Sequence, residues 1–462
     1  MSDDPIRSAL GGSSGSWIAF ARVFVGVFWL YEVLIGGRWK LGLPGYGTNP
    51  EWVGFAAGAD MVRLGERAIE LGTWEWYAIL SEAVVFPYAG LWSNVGTFVQ
   101  VALALGLIFG FGVRPLLLVV IVQELLILPL GTVRISPLLV IGSVFAFGAN
   151  AGHYYGLDGW IEAQGYTGLK GAILNPIAEM PLPSREYWPP IAAGFAILAL
   201  YHVLAIGTMP EGRLELAAME FAALFGVAAI GVAYAYKGAD TVRLSADLVR
   251  LFVGYRALHE IFVRTEPGIN GLPGWAPAAE QAELFAEIAT YHWASAGAFI
   301  EAVVIPYMGI WAAVFAVVNT ALALGLLAGW RVREISALGL AFTGFLMALG
   351  FTRYAPFVFG YLFVTMAFGS TYLSLDAVAG RRVEPMAIGY YLVPVLAAGA
   401  FATGLIALTV GNVPGEYMTD LVGVVPTMLF VFAAMLAWVG FVQHGGRERL
   451  AFDLDRVRDG TV

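Results

Sequence analysis

The chain has 462 residues, 59% hydrophobic and 13% charged, with a mean hydropathy of +0.75 and a formal net charge of −9. This balance excludes an ordinary soluble domain, and the acidic surplus argues against a nucleic-acid partner, which calls for a basic footprint. With no cysteine, disulfides, thiolate catalysis, cysteine-held iron–sulfur clusters and covalent c-type haem are also excluded.

The first residues, MSDDPIRSALGGSSGS, lack the basic and apolar parts of a cleaved signal, so the first apolar helix is expected to act as the insertion signal. Stretches 83–113, 135–157, 302–330, 354–375 and 385–415 carry no Asp, Glu, Lys or Arg. About 20 apolar residues suffice to cross a bilayer. Helices are predicted over 17–36, 93–112, 115–132, 136–157, 190–209, 214–236, 246–264, 310–330, 334–352, 355–375, 387–409 and 421–443. Loops 37–92 and 265–309 are rich in Gly, Pro, Trp and acidic residues. Each contains an amphipathic stretch, 59–71 and 278–290, expected to lie on the membrane surface.

The chain says much of this twice. EAVVFPY at 82–88 returns as EAVVIPY at 301–307, and ALALGL at 102–107 returns at 321–326. The same offset of 219 residues pairs Arg114 with Arg333, Arg134 with Arg353, and Pro137 with Pro356. Upstream, RVFVG at 22–26 matches RLFVG at 250–254, and Glu32 matches Glu260. The expected fold is therefore an all-α polytopic membrane protein, with about 12 transmembrane helices in two parallel pseudo-repeats. Residues 1–160 form the first four-helix unit, 161–240 a connection and two helices, 241–380 the second unit, and 381–462 two helices and a basic tail. Lys and Arg number 14 on the side of the termini and 8 on the other. The termini are therefore expected in the cytoplasm of a multi-pass cell-membrane protein.

Ionisable residues inside spans are costly and face the protein interior. Glu32, Gln100 and Arg134 fall in the outer half of the first repeat, and Glu260, Asn319 and Arg353 at matching depths in the second. Glu82 and Glu301 stand on the loops above. Each repeat can thus collect a carboxylate, an amide and a guanidinium, and a guanidinium fork suits an oxyanion. Glu32, Glu260 and Glu124 are the candidate catalytic proton carriers. Arg134, Arg353, Gln100, Asn319, Glu82 and Glu301 are the candidate substrate-binding groups. The competing reading is a Glu–Arg pair that only fixes helix register.

The repeats also differ: Glu124 faces Thr343, Tyr31 faces His259, and Phe28 faces Arg256. Pro87 and Pro306 free helix carbonyls that protein or water must satisfy, either as the lid of a polar cavity or at the end of an interfacial helix. Arg22 and Arg250 are expected to snorkel to headgroups. Five scattered His residues suggest neither a metal site nor a haem.

Three segments resemble the DoxX/DoxD family of small four-helix membrane proteins. RVFVGVFWLYEVLIGGRWKL (22–41) has its early Arg, spaced Gly and closing GxxK. VVFPYAGLWSNVGTFVQVALALGLIFGFGVRP (84–115) and VVIPYMGIWAAVFAVVNTALALGLLAGWRVR (303–333) have its V-x-P opening and its GLxLxLG-like run ending in Arg. The likeness covers about 140 residues of each half by this reading. The chain departs from the family pattern at Gln100 and Asn319, where members carry Glu, and at Arg264, where the GxxK end is missing.

DoxD is the small subunit of thiosulfate:quinone oxidoreductase. The resemblance implies a DoxX-like bundle in each repeat, quinone as cofactor, a small sulfur oxyanion such as thiosulfate as substrate, and a partner subunit in the lipid bilayer. Arg134 and Arg353 would then hold the anion. Two other functions fit the same residues: a secondary transporter with 6+6 parallel repeats, and a non-catalytic membrane scaffold. Whether the chain is itself an enzyme stays open on the sequence.

Overall fold

A computed structural model describes residues 13–35, 40–42, 47–133, 135–210, 212–262, 277–352, 354–381, 383–411 and 421–444. Among the described residues the regular elements are all helical. The first half contains α1 (Ser13–Leu34), α2 (Ala59–Glu70), α3 (Glu75–Leu80), α4 (Ala89–Phe109), α5 (Val113–Ile127) and α6 (Ser136–Gly148). It continues through α7 (Leu157–Gln164), α8 (Gly168–Ala178), α9 (Trp188–Ile206) and α10 (Arg213–Tyr236). The second half contains α11 (Thr241–Phe262), α12 (Ala278–Thr290), α13 (Ala294–Phe299), α14 (Met308–Ala328) and α15 (Val332–Ala348). It closes with α16 (Ala355–Phe368), α17 (Leu375–Val378), α18 (Leu392–Val410) and α19 (Leu421–Gln443).

Among the described residues, eight segments are long and apolar enough to cross a bilayer: Ser14–Leu34, Glu75–Phe109, Val113–Leu130, Arg185–Ile206, Arg213–Tyr236, Met308–Ala328, Leu392–Val410 and Leu421–Gln443. The chain is a helical membrane protein. Four other helices of the expected twelve fall short of that measure. α6 and α16 have 13 and 14 residues, a rise of about 20 Å against a hydrocarbon core of about 30 Å. They stop well before the expected ends at 157 and 375, where Asn150 (φ 51°) and Gly369 (φ 64°) leave helical geometry. α15 has 17 residues. α11 has 22, but Arg243, Asp247, Arg250, Arg256 and Glu260 make it polar.

The repeated sequence folds into repeated local structure. Pro87 and Pro306 have no N–H, and their rings crowd the carbonyl four residues back. The chain answers with one π-helical turn in each repeat, Ser81–Val85 and Ile300–Val304. There the Phe86 N–H donates to Ser81 O, and the Ile305 N–H to Ile300 O at 2.9 Å. A nearby carbonyl is capped by an indole in both repeats. Trp92 Nε1 donates to Val84 O at 3.1 Å, and Trp311 Nε1 donates to Val303 O at 3.1 Å. Protein thus supplies hydrogen bonds at the proline turns, as a membrane setting requires.

A second duplicated device lies at the start of α5 and α15. Asp158 accepts from the N–H groups of Gly112 (2.7 Å) and Val113 (2.9 Å). Asp376 accepts from those of Arg331 (3.1 Å) and Val332 (3.2 Å). Each carboxylate satisfies two helix N–H groups that would otherwise lack partners. Arg22 and Arg250 fasten the segments that follow α6 and α16, and they do not snorkel: they are 1% and 0% exposed. Arg22 Nη2 donates to Tyr155 O at 3.1 Å, and Arg250 Nη2 donates to Tyr372 O and Leu373 O, both at 3.1 Å. Carbonyls exposed where α6 and α16 end early draw these guanidiniums inward. Asp158→Ala and Asp376→Ala should each destabilise the protein by about 1–3 kcal/mol, read as a lower thermal midpoint in detergent.

Helices α1, α6, α11 and α16 meet at the centre, with α1 and α11 each touching both α6 and α16. α10 packs on α11, and α19 packs on α1, so the last helix of each half covers the first helix of the other. Tyr361 OH donates to Leu138 O at 2.5 Å. Gly142, the first-repeat counterpart of Tyr361, makes room for it: a Cβ there would lie 2.2 Å from the phenol oxygen. Trp17 Nε1 donates to Met386 O at 2.7 Å, again across the halves.

Candidate functional site

In the first repeat the chain turns back after α1, and the Leu41 N–H donates to Val33 O at 3.0 Å. This return brings Lys40 level with the end of α1. Its ammonium donates to Gln100 Oε1 of α4 at 2.6 Å and lies 4.1 Å from the centre of the Trp52 ring. Glu124 of α5 is 3% exposed. Its carboxyl is hydrogen-bonded with Ser136 at the start of α6 and lies within the field of Lys40. Thr132 Oγ1 is 3.0 Å from Ser136 Oγ, extending the set. Lys40, Gln100, Glu124 and Ser136 therefore bring a fixed cation, an amide, a carboxyl and a hydroxyl together in a largely apolar bundle. Such a group can bind a small anion and move a proton.

Gln100 and Glu124 are among the residues expected from sequence. Glu32 is half-buried in the last turn of α1. Arg134 lies outside the described residues. Lys40 and Ser136 were not among the expected site residues. The GxxK ending was the available signal for Lys40, since it places one of only three lysines in the chain just beyond a spanning helix.

The second repeat is built differently. Asn319 and Thr343 are fully buried. Thr343, which stands in sequence where the first repeat has Glu124, donates its hydroxyl to Gly339 O of its own helix at 2.7 Å. Arg353 lies outside the described residues. Glu260 belongs to a separate cluster between the halves. Its Oε1 lies 3.6 Å from Arg256 Nη2. Arg256 Nε donates to Tyr354 OH at 2.9 Å, and Nη1 donates to Glu220 Oε1 of α10 and to Val133 O at 3.4 Å. Arg256, Glu220, Glu260 and Tyr354 are each at most 2% exposed. Glu220 was overlooked in the sequence, although a carboxylate set among apolar residues of a spanning helix is the kind of signal that marked Glu124.

Glu82 and Glu301 are exposed on the π-helical turns, and they join neither cluster. Among the described residues, no three His, Asp or Glu side chains form a group suited to a metal ion. An open cleft along α8 and the chain flanking it is lined by Tyr166, Asn175 and Glu179.

No family model matches the chain, and no curated protein or solved structure matches it.

Proposed function

We propose that the protein is a DoxD-like membrane component of a quinone-linked oxidoreductase acting on a small sulfur oxyanion such as thiosulfate. In this reading it crosses the cell membrane twelve times in two parallel six-helix sets, with both termini in the cytoplasm, and works with a partner subunit. The observation that carries the reading is the Lys40–Gln100 hydrogen bond of 2.6 Å beside the buried Glu124. It joins the lysine of the GxxK ending to the position where DoxD-like chains carry Glu. Lys40 supplies the positive charge for the oxyanion, and Glu124 passes protons. The Lys40 ammonium and the Ser136 hydroxyl are hydrogen-bond donors of the kind a quinone carbonyl accepts. Joining two thiosulfates through a sulfur–sulfur bond releases two electrons, and a quinone takes these up with two protons to give the quinol.

A transporter would need the halves to rock. Tyr361 to Leu138, Trp17 to Met386 and Arg256 to Val133 tie them together instead. The test uses vesicles from cells making the full chain, compared with vesicles lacking it. Thiosulfate-dependent reduction of an added short-chain quinone is expected only in the former. Thiosulfate uptake without quinone reduction would replace this function with transport.

A further inference from the structure

The Lys40–Gln100 pair is faced by an arm of chain, residues 49–60, and the bonds within that arm converge on one side chain. Trp52, 8% exposed, places its ring against the Lys40 ammonium. Its indole Nε1 donates to Asp60 Oδ2 at 3.0 Å, and Asp60 is 2% exposed in the first turn of α2. Its carbonyl accepts from Ser93 Oγ of α4 at 2.6 Å. Asn94 locks the next bend by accepting from the Gly54 N–H at 2.9 Å and donating to Gly54 O at 3.1 Å. At Gly58 the arm lies directly on the start of α4, where a Cβ would be 2.5 Å from the Ala89 carbonyl carbon. Asp60 also holds Arg63, whose Nη2 is 3.6 Å from Glu51 Oε2.

We propose that Trp52, held in place by Asp60, is the positioning residue for Lys40. The inference rests on the oxyanion reading for its consequence in turnover, but not for its geometry. A lysine on a four-carbon stem has many rotamers, and its ammonium is strongly hydrated. The indole face attracts the ammonium and shields one side of it from water, while the Gln100 amide oxygen accepts a hydrogen bond from it. Asp60 fixes the plane of that indole. The charge presented to an incoming anion is thus aimed by a residue that never touches the anion.

Lys40, Lys170 and Lys237 are the only lysines, and the other two are exposed, so amine labelling read by mass spectrometry has two internal references. In the full-length wild type, Lys40 should label far more slowly than Lys170 and Lys237. In Trp52→Ala and Asp60→Leu its rate relative to Lys170 should rise on the order of tenfold. Asp60→Asn keeps an acceptor for the indole and should stay near wild type, while Trp52→Phe, which keeps a ring, should fall between. In the vesicle assay, Trp52→Ala should raise KM for thiosulfate with kcat largely kept.

Unchanged Lys40 labelling in Trp52→Ala overturns the proposal, whatever the substrate. So does an Asp60→Asn variant that labels as fast as Asp60→Leu. If Asp60→Leu does not fold, the Trp52 variants and Asp60→Asn decide the matter. Faster labelling without any thiosulfate response keeps the positioning role and instead rejects the oxyanion reading.

Discussion

Replacing Arg256 with methionine should lower the stability of the protein by about 3–5 kcal/mol. The guanidinium is 1% exposed and is shared by Glu220, Glu260 and Tyr354, with Val133 O of the first repeat as a further acceptor. Removing it leaves two buried carboxylates without that cation, in surroundings where water cannot make up the loss. The first repeat shows what an apolar residue needs at this place. Its counterpart, Phe28, lies against Phe357, with ring centres 3.8 Å apart, and among apolar neighbours. Methionine at 256 would meet carboxylates instead.

The double variant Arg256→Met with Glu220→Leu should therefore recover much of the loss. An apolar pair of similar volume no longer strands the Glu220 charge, and buried ion pairs often tolerate such exchange. Thermal unfolding in detergent, run as a double-mutant cycle, reads the coupling. A single variant as stable as wild type would mean the cluster does not hold the halves together.

The second large effect concerns activity and should separate the repeats. Glu124→Gln should slow thiosulfate-dependent quinone reduction by about 100-fold or more, the usual loss when a positioned proton carrier is removed. Lys40→Met should raise KM by about 10–100-fold, as expected for one charge-assisted contact to an anion. Thr343→Val and Asn319→Ala, at the matching places in the second repeat, should leave the rate near wild type. Thr343, at the place of Glu124, is not ionisable, and its hydroxyl donates within its own helix. Equal losses from both repeats, seen in the same vesicle assay, would contradict this asymmetry.

Much of the architecture was legible because membranes impose simple rules. Long charge-free runs marked the helices, and the amphipathic stretches at 59–71 and 278–290 are helical as α2 and α12. The doubled EAVVxPY became doubled π-helical turns, since proline leaves little choice at that position. Span length was less legible in α6 and α16: their apolar character continues past the residues where Asn150 and Gly369 turn the chain.

At the site, side-chain direction could not be read from sequence position. Arg22 and Arg250 fall near the ends of the helices expected over 17–36 and 246–264, as a snorkelling residue would, but α1 and α11 start earlier, and carbonyls left open by distant segments hold both arginines inside. Glu32 and Glu260 match in sequence, but Glu260 turns to an arginine that the first repeat lacks. Lys40 reaches Gln100 only because the chain folds back after α1, and no periodic pattern announces such a return.

The reading turns on whether the cation at Lys40 receives the anion. Calorimetric titration of thiosulfate into the purified full-length protein measures this directly. Binding to wild type and to Thr343→Val with equal affinity, weakened by about tenfold or more in Lys40→Met, is the predicted result. No binding to wild type, or equal binding to Lys40→Met, would contradict it.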